Sequence, residues 1–386
     1  MLALTFKGLL RRKVSCLLFT LLVCIGAIGM HILSGILESQ EDALEKIYDE
    51  SKILCVISNL RGTKTDGLQI VSAYIDLCLT DEKYDFCTRI EKVCLKRTVV
   101  CHMEALQEDV SLIGITYTDG VDELLPQNGV VIQFLENYTY ENLLGNEAFC
   151  IVPYAMLPIL AEDGDGRLQA ALTMEETTIT LPVGGIYTGG DARTIYCPFR
   201  YVASLLTEDK IYTESLSFYV KDARSLESFR EESLKYFSEP KFTAEDADMY
   251  FAMIVHDDLF QVTVSSVKEN IFMLRLLIPV LYIISAGVGF LASFLFMRGR
   301  KREFAVMRSL GMHRAQVIGM IFFEQFILCI VSTLFGTVLL QTLRSRMPDG
   351  GIVGGCLFTL CYLGGVLTAT IWITNVTVMK LLKTED

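Results

Sequence analysis

Four long apolar runs interrupt this chain, and they are unevenly spaced. The first covers Val14–Leu37; the others, near Leu276–Met297, Val317–Leu340 and Ile352–Met379, crowd the C-terminal part. Each is about 20 residues or longer, enough to cross roughly 30 Å of hydrocarbon as a helix. Between the first and second runs the pattern changes. Short apolar or alternating stretches at Leu54–Ile57, Ser111–Tyr117, Val130–Phe134, Thr177–Leu181, Leu216–Val220 and Met249–Val255 predict strands. Arg200–Leu206 and Leu226–Phe237 read as helices, and the acidic, helix-favouring stretch over 38–52 extends the first run as a stalk. The expected fold is a membrane protein of four transmembrane α-helices, one N-terminal and three C-terminal. A large α+β domain lies between the first and second, of two lobes with a seam near Cys150–Gly166.

Charge orients this plan. The chain has 386 residues, a net charge of −12 and 52% hydrophobic residues. From Glu38 to Asn270 there are 41 acids and 19 bases, a balance of −22, while the remainder carries +10. Bases therefore sit beside the apolar runs, as they do on the cytoplasmic side of membrane proteins. Lys7, Arg11, Arg12 and Lys13 precede the first run, and Arg298, Arg300, Lys301, Arg302, Arg308 and Arg314 fill the loop after the second. A cleaved leader would carry an apolar core of only roughly 7–15 residues, so the first run is expected to be retained as a span. The resulting domain plan is a basic N-terminus and first span over 1–37, an extracytoplasmic domain over 38–270, and a second span over 271–297. A cytoplasmic helix follows over 298–316, a third span over 317–340, an outer loop over 341–351, a fourth span over 352–379 and a cytoplasmic tail over 380–386. Both termini are expected inside the cell membrane. Arg344 and Arg346 fall on the outer side, outnumbered by the six bases of the loop.

The basic loop has helical periodicity of its own. Val306, Met307, Leu310 and Val317 recur on one stripe, with Lys301 and Arg308 opposite and Gly311 as a break or bend. Such a helix can lie on the headgroups or dock a soluble partner. The run Arg302-Glu303-Phe304-Ala305-Val306-Met307-Arg308-Ser309-Leu310-Gly311, followed by Arg314, Gln316 and Glu324, resembles the signature of FtsX/MacB-type ABC transporter permeases. Met312 and His313 stand where that family usually has Ala and Ser or Thr. Gly185-Ile186-Tyr187 and Thr194–Pro198 are similar to phrases in permeases of Firmicutes. The resemblance implies that Arg302, Glu303, Val306, Met307, Arg308, Leu310 and Gly311 contact a separate cytoplasmic ATPase, which binds ATP and Mg, with no cofactor held by this chain. It also implies a dimer with a second permease copy or paralogue. The implied activity is export or extraction of a peptide, lipid or lipoprotein; the alternative is a mechanotransmitter that activates an extracellular partner such as a wall hydrolase.

Other residues invite chemistry to differing degrees. Glu324 falls inside the third span, where an acid costs about 2.5–3.5 kcal/mol on insertion scales, so it is expected to bond another helix, with Gln325 as a neighbour. Ser285 with Gly289, and Gly351 with Gly355, offer close helix contacts. Cys78, Cys87, Cys94 and Cys101 are close enough in sequence to form two disulfides or remain thiols, and they lack metal-ligand spacing. Glu162–Gly166 reads as a turn rather than a calcium loop. Gly62-Thr63-Lys64-Thr65 lacks the order of a phosphate loop, and no nucleophile–base pairing or nucleic-acid motif is visible, so the chain is expected to be a non-catalytic subunit.

Overall fold

The computed structural model describes residues 13–79, 85–135, 137–164, 166–174, 177–206, 212–237, 251–298, 300, 303, 306–307, 309, 311–343 and 351–375. The chain divides into two units, one of residues 48–261 and one of residues 1–47 with 262–386. In chain order the principal elements are α1 (Lys13–Glu50), β1 (Ile53–Asn59), α2 (Ser72–Leu79), α3 (Asp85–Thr88), β2 (Ile90–Met103), β3 (Glu108–Ile115), β4 (Val131–Phe134), β5 (Cys150–Pro153) and β6 (Ala161–Glu162). They continue with β7 (Leu168–Met174), β8 (Thr177–Thr188), β9 (Thr194–Pro198), α4 (Phe199–Leu205), β10 (Ser215–Val220), α5 (Leu226–Phe237), β11 (Phe251–His256), α6 (Asp258–Arg298), α7 (Arg314–Leu343) and α8 (Gly351–Asn375).

The unit of residues 48–261 is β-rich. Among the described residues, eleven strands form one sheet in the order β11-β1-β10-β2-β3-β9-β5-β8-β7-β6, with β4 added along β8, and Ile70–Val71 pairs with Tyr212–Thr213 apart from it. A pairing of His102 with Thr173 brings β7 back to β2, so six strands from β2 to β7 close on themselves. Alternation then turns one side chain of every pair inward. Cys101 and Met103, Val110 and Leu112, Cys150 and Val152, Ala170 and Leu172, Leu181 and Val183, and Ile195 and Cys197 fill the interior from the six strands. The opposite faces of β3, β9, β5 and β8 present Ile113, Ile115, Ile151, Tyr187 and Tyr196 to a cover of short 3-10 turns over 118–144. A second core lies at the other end of the sheet. There Ile53, Cys55 and Ile57 of β1 and Leu216 and Phe218 of β10 pack on Leu226, Phe229 and Phe237 of α5. Phe86 of α3 stacks on Phe229 at 5.3 Å between ring centroids. Burying each such aromatic side chain contributes about 1.5–3 kcal/mol.

The two lobes do not part near Cys150–Gly166. That stretch begins with a central strand of the closed set and ends in a hairpin turn, where the Asp163 carboxylate accepts the Arg167 N–H (3.2 Å) and the Gln169 amide (3.1 Å). The division runs instead through the middle of β2, whose Leu95 belongs to one core and Cys101 to the other, so one lobe is an insertion within the other. The same strand separates two of the four clustered cysteines. Cys78, Cys87, Cys94 and Cys101 are all buried. Cys94 and Cys101 are seven residues apart on β2, hence about 23 Å apart and on opposite faces, where a disulfide cannot reach.

In the other unit, α1, α6, α7 and α8 are long and apolar enough to cross a membrane. Their shared core takes Phe19, Val23, Ala27 and Met30 from α1, Ile278 from α6, Cys329 from α7 and Phe358, Tyr362 and Val366 from α8. Glycine sets the closest approaches. A Cβ on Gly289 of α6 would meet the Tyr362 backbone of α8, and one on Gly365 of α8 would run into the Ala286 carbonyl. Gly351 meets the backbone of His31, so both small-residue spacings lie at helix contacts. Arg275 of α6 donates to Glu41 of α1 at 2.7 Å, clipping the two helices beyond their most apolar stretches.

Two outcomes follow. Gly365→Ala should destabilise the helix bundle by about 1–3 kcal/mol through overpacking, while Gly364→Ala, with open space around it, should not; thermal unfolding of the purified protein reads the contrast. Burial pushes the Cys150 thiol up to about 12 and Cys101 up to about 11. At pH 8 about one Cys150 in 10⁴ is thiolate, so both should resist maleimide in the native protein and label after denaturation, as peptide mass spectrometry would show.

Candidate functional site

The loop between α6 and α7 is where a carboxylate, a guanidinium and a second carboxylate converge. α6 ends at Arg298, and the Arg300 N–H still bonds the Met297 carbonyl at 2.9 Å. Beyond it Glu303, Val306, Met307 and Ser309 are helical. Gly311 then takes φ +93°, a left-handed value that halts the helix at little cost only for glycine. The next helix starts immediately. His313 N–H donates to the Gln316 side chain at 3.2 Å, and His313 Nδ1 accepts the Ala315 N–H at 3.4 Å. His313 thus does at the helix start what Ser or Thr ordinarily does.

Arg300 is 5% exposed. Its Nη1 donates to Oε2 of Glu324 on α7 at 2.5 Å, and its Nε donates to Oε2 of Glu303 at 2.9 Å. Glu324 is 2% exposed, whereas the Glu303 side chain keeps 46% of its surface. Burial alone would depress the guanidinium, but the hydrogen bonds it donates to Glu303 and Glu324 outweigh that and hold Arg300 above its ordinary value. Met297, Val317, Ile321, Ala369 and Ile373 form the apolar cluster next to this strap.

Several expectations need revision at this point. Glu324 bonds Arg300, a base from the adjoining loop, rather than Gln325, whose buried amide makes no hydrogen bond among the described residues. The apolar stripe does not run through. Val306 is 56% exposed and Met307 half-buried, while Val317 is buried on α7, because Gly311 separates the two helices. Arg302, Arg308 and Leu310 lie outside the described residues, as do Lys301, Phe304 and Ala305. Of the expected contact set, Glu303, Val306 and Gly311 are exposed on the surface of the loop. Arg300 was missed. Its signal was available: an intramembrane acid requires a partner, and Arg300 is the second base after the preceding span.

The β-rich unit holds a cleft of about 960 Å³, lined by Asp76 and Glu91 as well as Lys92, Arg200 and Lys221. Acids and bases are mixed there, which selects no class of ligand. Among the described residues, no group of three or more His, Cys, Asp or Glu could hold a metal ion.

Comparison with known proteins accords with the loop. Residues 275–382 match the family model described as FtsX-like permease C-terminal. The C-terminal part of this chain is similar to the C-terminal domain of FtsX-like permeases. An uncharacterized ABC transporter permease, YclI of Bacillus subtilis (strain 168), is 24% identical over 193 residues, covering 45% of this chain; the chain spans 38% of that relative's length. Two solved structures are similar to the chain at low TM-score. The periplasmic region of MacB from Actinobacillus actinomycetemcomitans gives 0.33 with 13% identity, covering 56% of this chain and 94% of that one. The extracellular domain of the noncanonic ABC-type transporter YknZ from Gram-positive bacteria gives 0.27 with 11% identity, covering 47% and 91%. The FtsX-like domain begins inside α6 and so contains the Arg300–Glu324 pair whole.

Removing one member of this buried pair leaves the other charged and unmatched. Glu324→Leu and Arg300→Met alone should each cost about 3–5 kcal/mol, and the double variant should recover most of that. Melting of the purified protein in detergent measures all three.

Proposed function

We propose that this chain is the membrane subunit of an ABC transporter, working with a separate cytoplasmic ATPase that docks on the loop after the second span. The observation that carries this reading is the loop itself. Within an FtsX-like permease domain, it offers the apolar Val306 and the half-exposed carboxylate of Glu303 at the surface. The bases that flank it favour the cytoplasmic side, and both termini then lie inside. ATP and Mg belong to the partner, and this chain serves as a non-catalytic half that pairs with a second permease copy or paralogue.

Movement then has a route outward. α1 and α6 are unbroken helices of 38 and 41 residues that extend from the spans to within a few residues of β1 and β11. The β-rich unit between them is the part that would act on a peptide, lipid or lipoprotein outside the cell. Continuous helices equally serve a transmitter that works on an extracellular partner without transport, and ATP-dependent efflux from proteoliposomes separates the two outputs.

The test is coupled ATP hydrolysis. The full chain, purified from its own host with the co-purifying ATPase, should lose about tenfold or more of its coupled turnover on Glu303→Ala with Met307→Ala. Its melting temperature should not change. Normal coupled turnover in that variant overturns the reading.

A further inference from the structure

We propose that Arg300 is the positioning residue of this loop, a side-chain strap that makes the loop helix and the third span move as one piece. The inference rests on the coupling reading above and adds how displacement of the loop reaches the membrane helices. The main chain is one thin route. Between Glu303 and Glu324 it passes through Gly311 at φ +93°, where a Cβ would meet nothing within 4 Å. There the Met312 N–H bonds the Met307 carbonyl at 3.2 Å, so the backbone link across the helix end is a single capped turn.

Arg300 adds a second link. Its backbone N–H is tied to the end of α6, its Nε to Glu303 before Gly311, and its Nη1 to Glu324 after it. One planar fork therefore joins the two carboxylates on either side of Gly311, which a lysine ammonium on a flexible stem does not reproduce. The two ends differ in character. Glu324 is sealed beside Met297, Val317 and Ile321, where water cannot replace its partner. Glu303 is half-exposed, so it is the end on which a docked protein can act. Because both bonds share one rigid group, displacing Glu303 draws Arg300 and shifts the load to α7.

The experiment compares wild type, Arg300→Lys and Arg300→Met/Glu324→Leu as full chains in lipid nanodiscs, by amide hydrogen exchange and thermal melting. Arg300→Lys keeps a positive charge for Glu324, and the double variant removes the buried charges altogether, so both should melt near wild type. If the strap is real, exchange at the Met307 and Ser309 amides rises about tenfold in both variants, while exchange at Val366 and Ala369 of α8 is unchanged. Unaltered exchange at Met307 and Ser309 in Arg300→Lys overturns the proposal. A purely structural pair predicts the opposite pattern for the double variant, with loop protection restored along with melting, and that result also overturns it. Coupling is read separately: a wild-type chain to which the co-purified ATPase is indifferent sinks the transporter reading, and the exchange comparison still decides the strap.

Discussion

A guanidinium and a carboxylate that are almost wholly shielded from solvent govern the loop between the second and third spans. Arg300 and Glu324 are 5% and 2% exposed, and each is tolerable there only because the other is present. That dependence places constraints on everything near them. α6 has to end where Arg300 can turn inward, α7 has to present Glu324 at the matching height, and the apolar residues Met297, Val317 and Ile321 close the surroundings. Gly311 supplies the reversal that lets two helices meet across so short a connection. The exposed residues of the loop are then held by a buried charge pair as well as by their own helical turn.

The β-rich unit solves a different problem. Its long sheet would leave an open edge at β7, and bending that edge back to β2 closes the set over a small apolar interior. Three cysteines, Cys101, Cys150 and Cys197, fill part of that interior as small hydrophobes. The other face of the same strands is covered by 3-10 turns, so β3, β5, β8 and β9 are buried on both sides. A second core around Phe218 and Phe229 completes the unit and shares β2, through Ile90, Val93 and Leu95, with the closed set.

Which strands were legible in the chain depended on how they are buried. β1, β3 and β10 carry β-branched and aromatic side chains in short apolar runs, and they were readable. β7 reads Leu-Gln-Ala-Ala-Leu-Thr-Met, a composition that suits a helix; only its pairing with β8 makes it a strand. β2 was hidden for another reason. It serves both cores and carries Lys92, Lys96, Arg97 and His102, which disrupt its alternation. The lobe boundary was misplaced with it, since no loop or composition change marks the middle of a strand. At the site, Glu303 and Gly311 were visible from the loop pattern, and Glu324 from its position in an apolar run. Arg300 was not singled out because a dense basic loop reads as topology, and density conceals which base turns inward.

Local signals in the amino-acid order determined the four spans, the helix break at Gly311 and the presence of a buried acid in the third span. Hydropathy, glycine conformation and the cost of charge in lipid act over a few residues, so they can be read along a line. Only the tertiary structure decided that Arg300 is the partner of that acid, that β2 is shared by two cores and that six strands close into one. The charge pair joins residues 24 positions apart and the closing strand pair, His102 with Thr173, residues 71 apart, and which of several bases or strands meet is settled by packing.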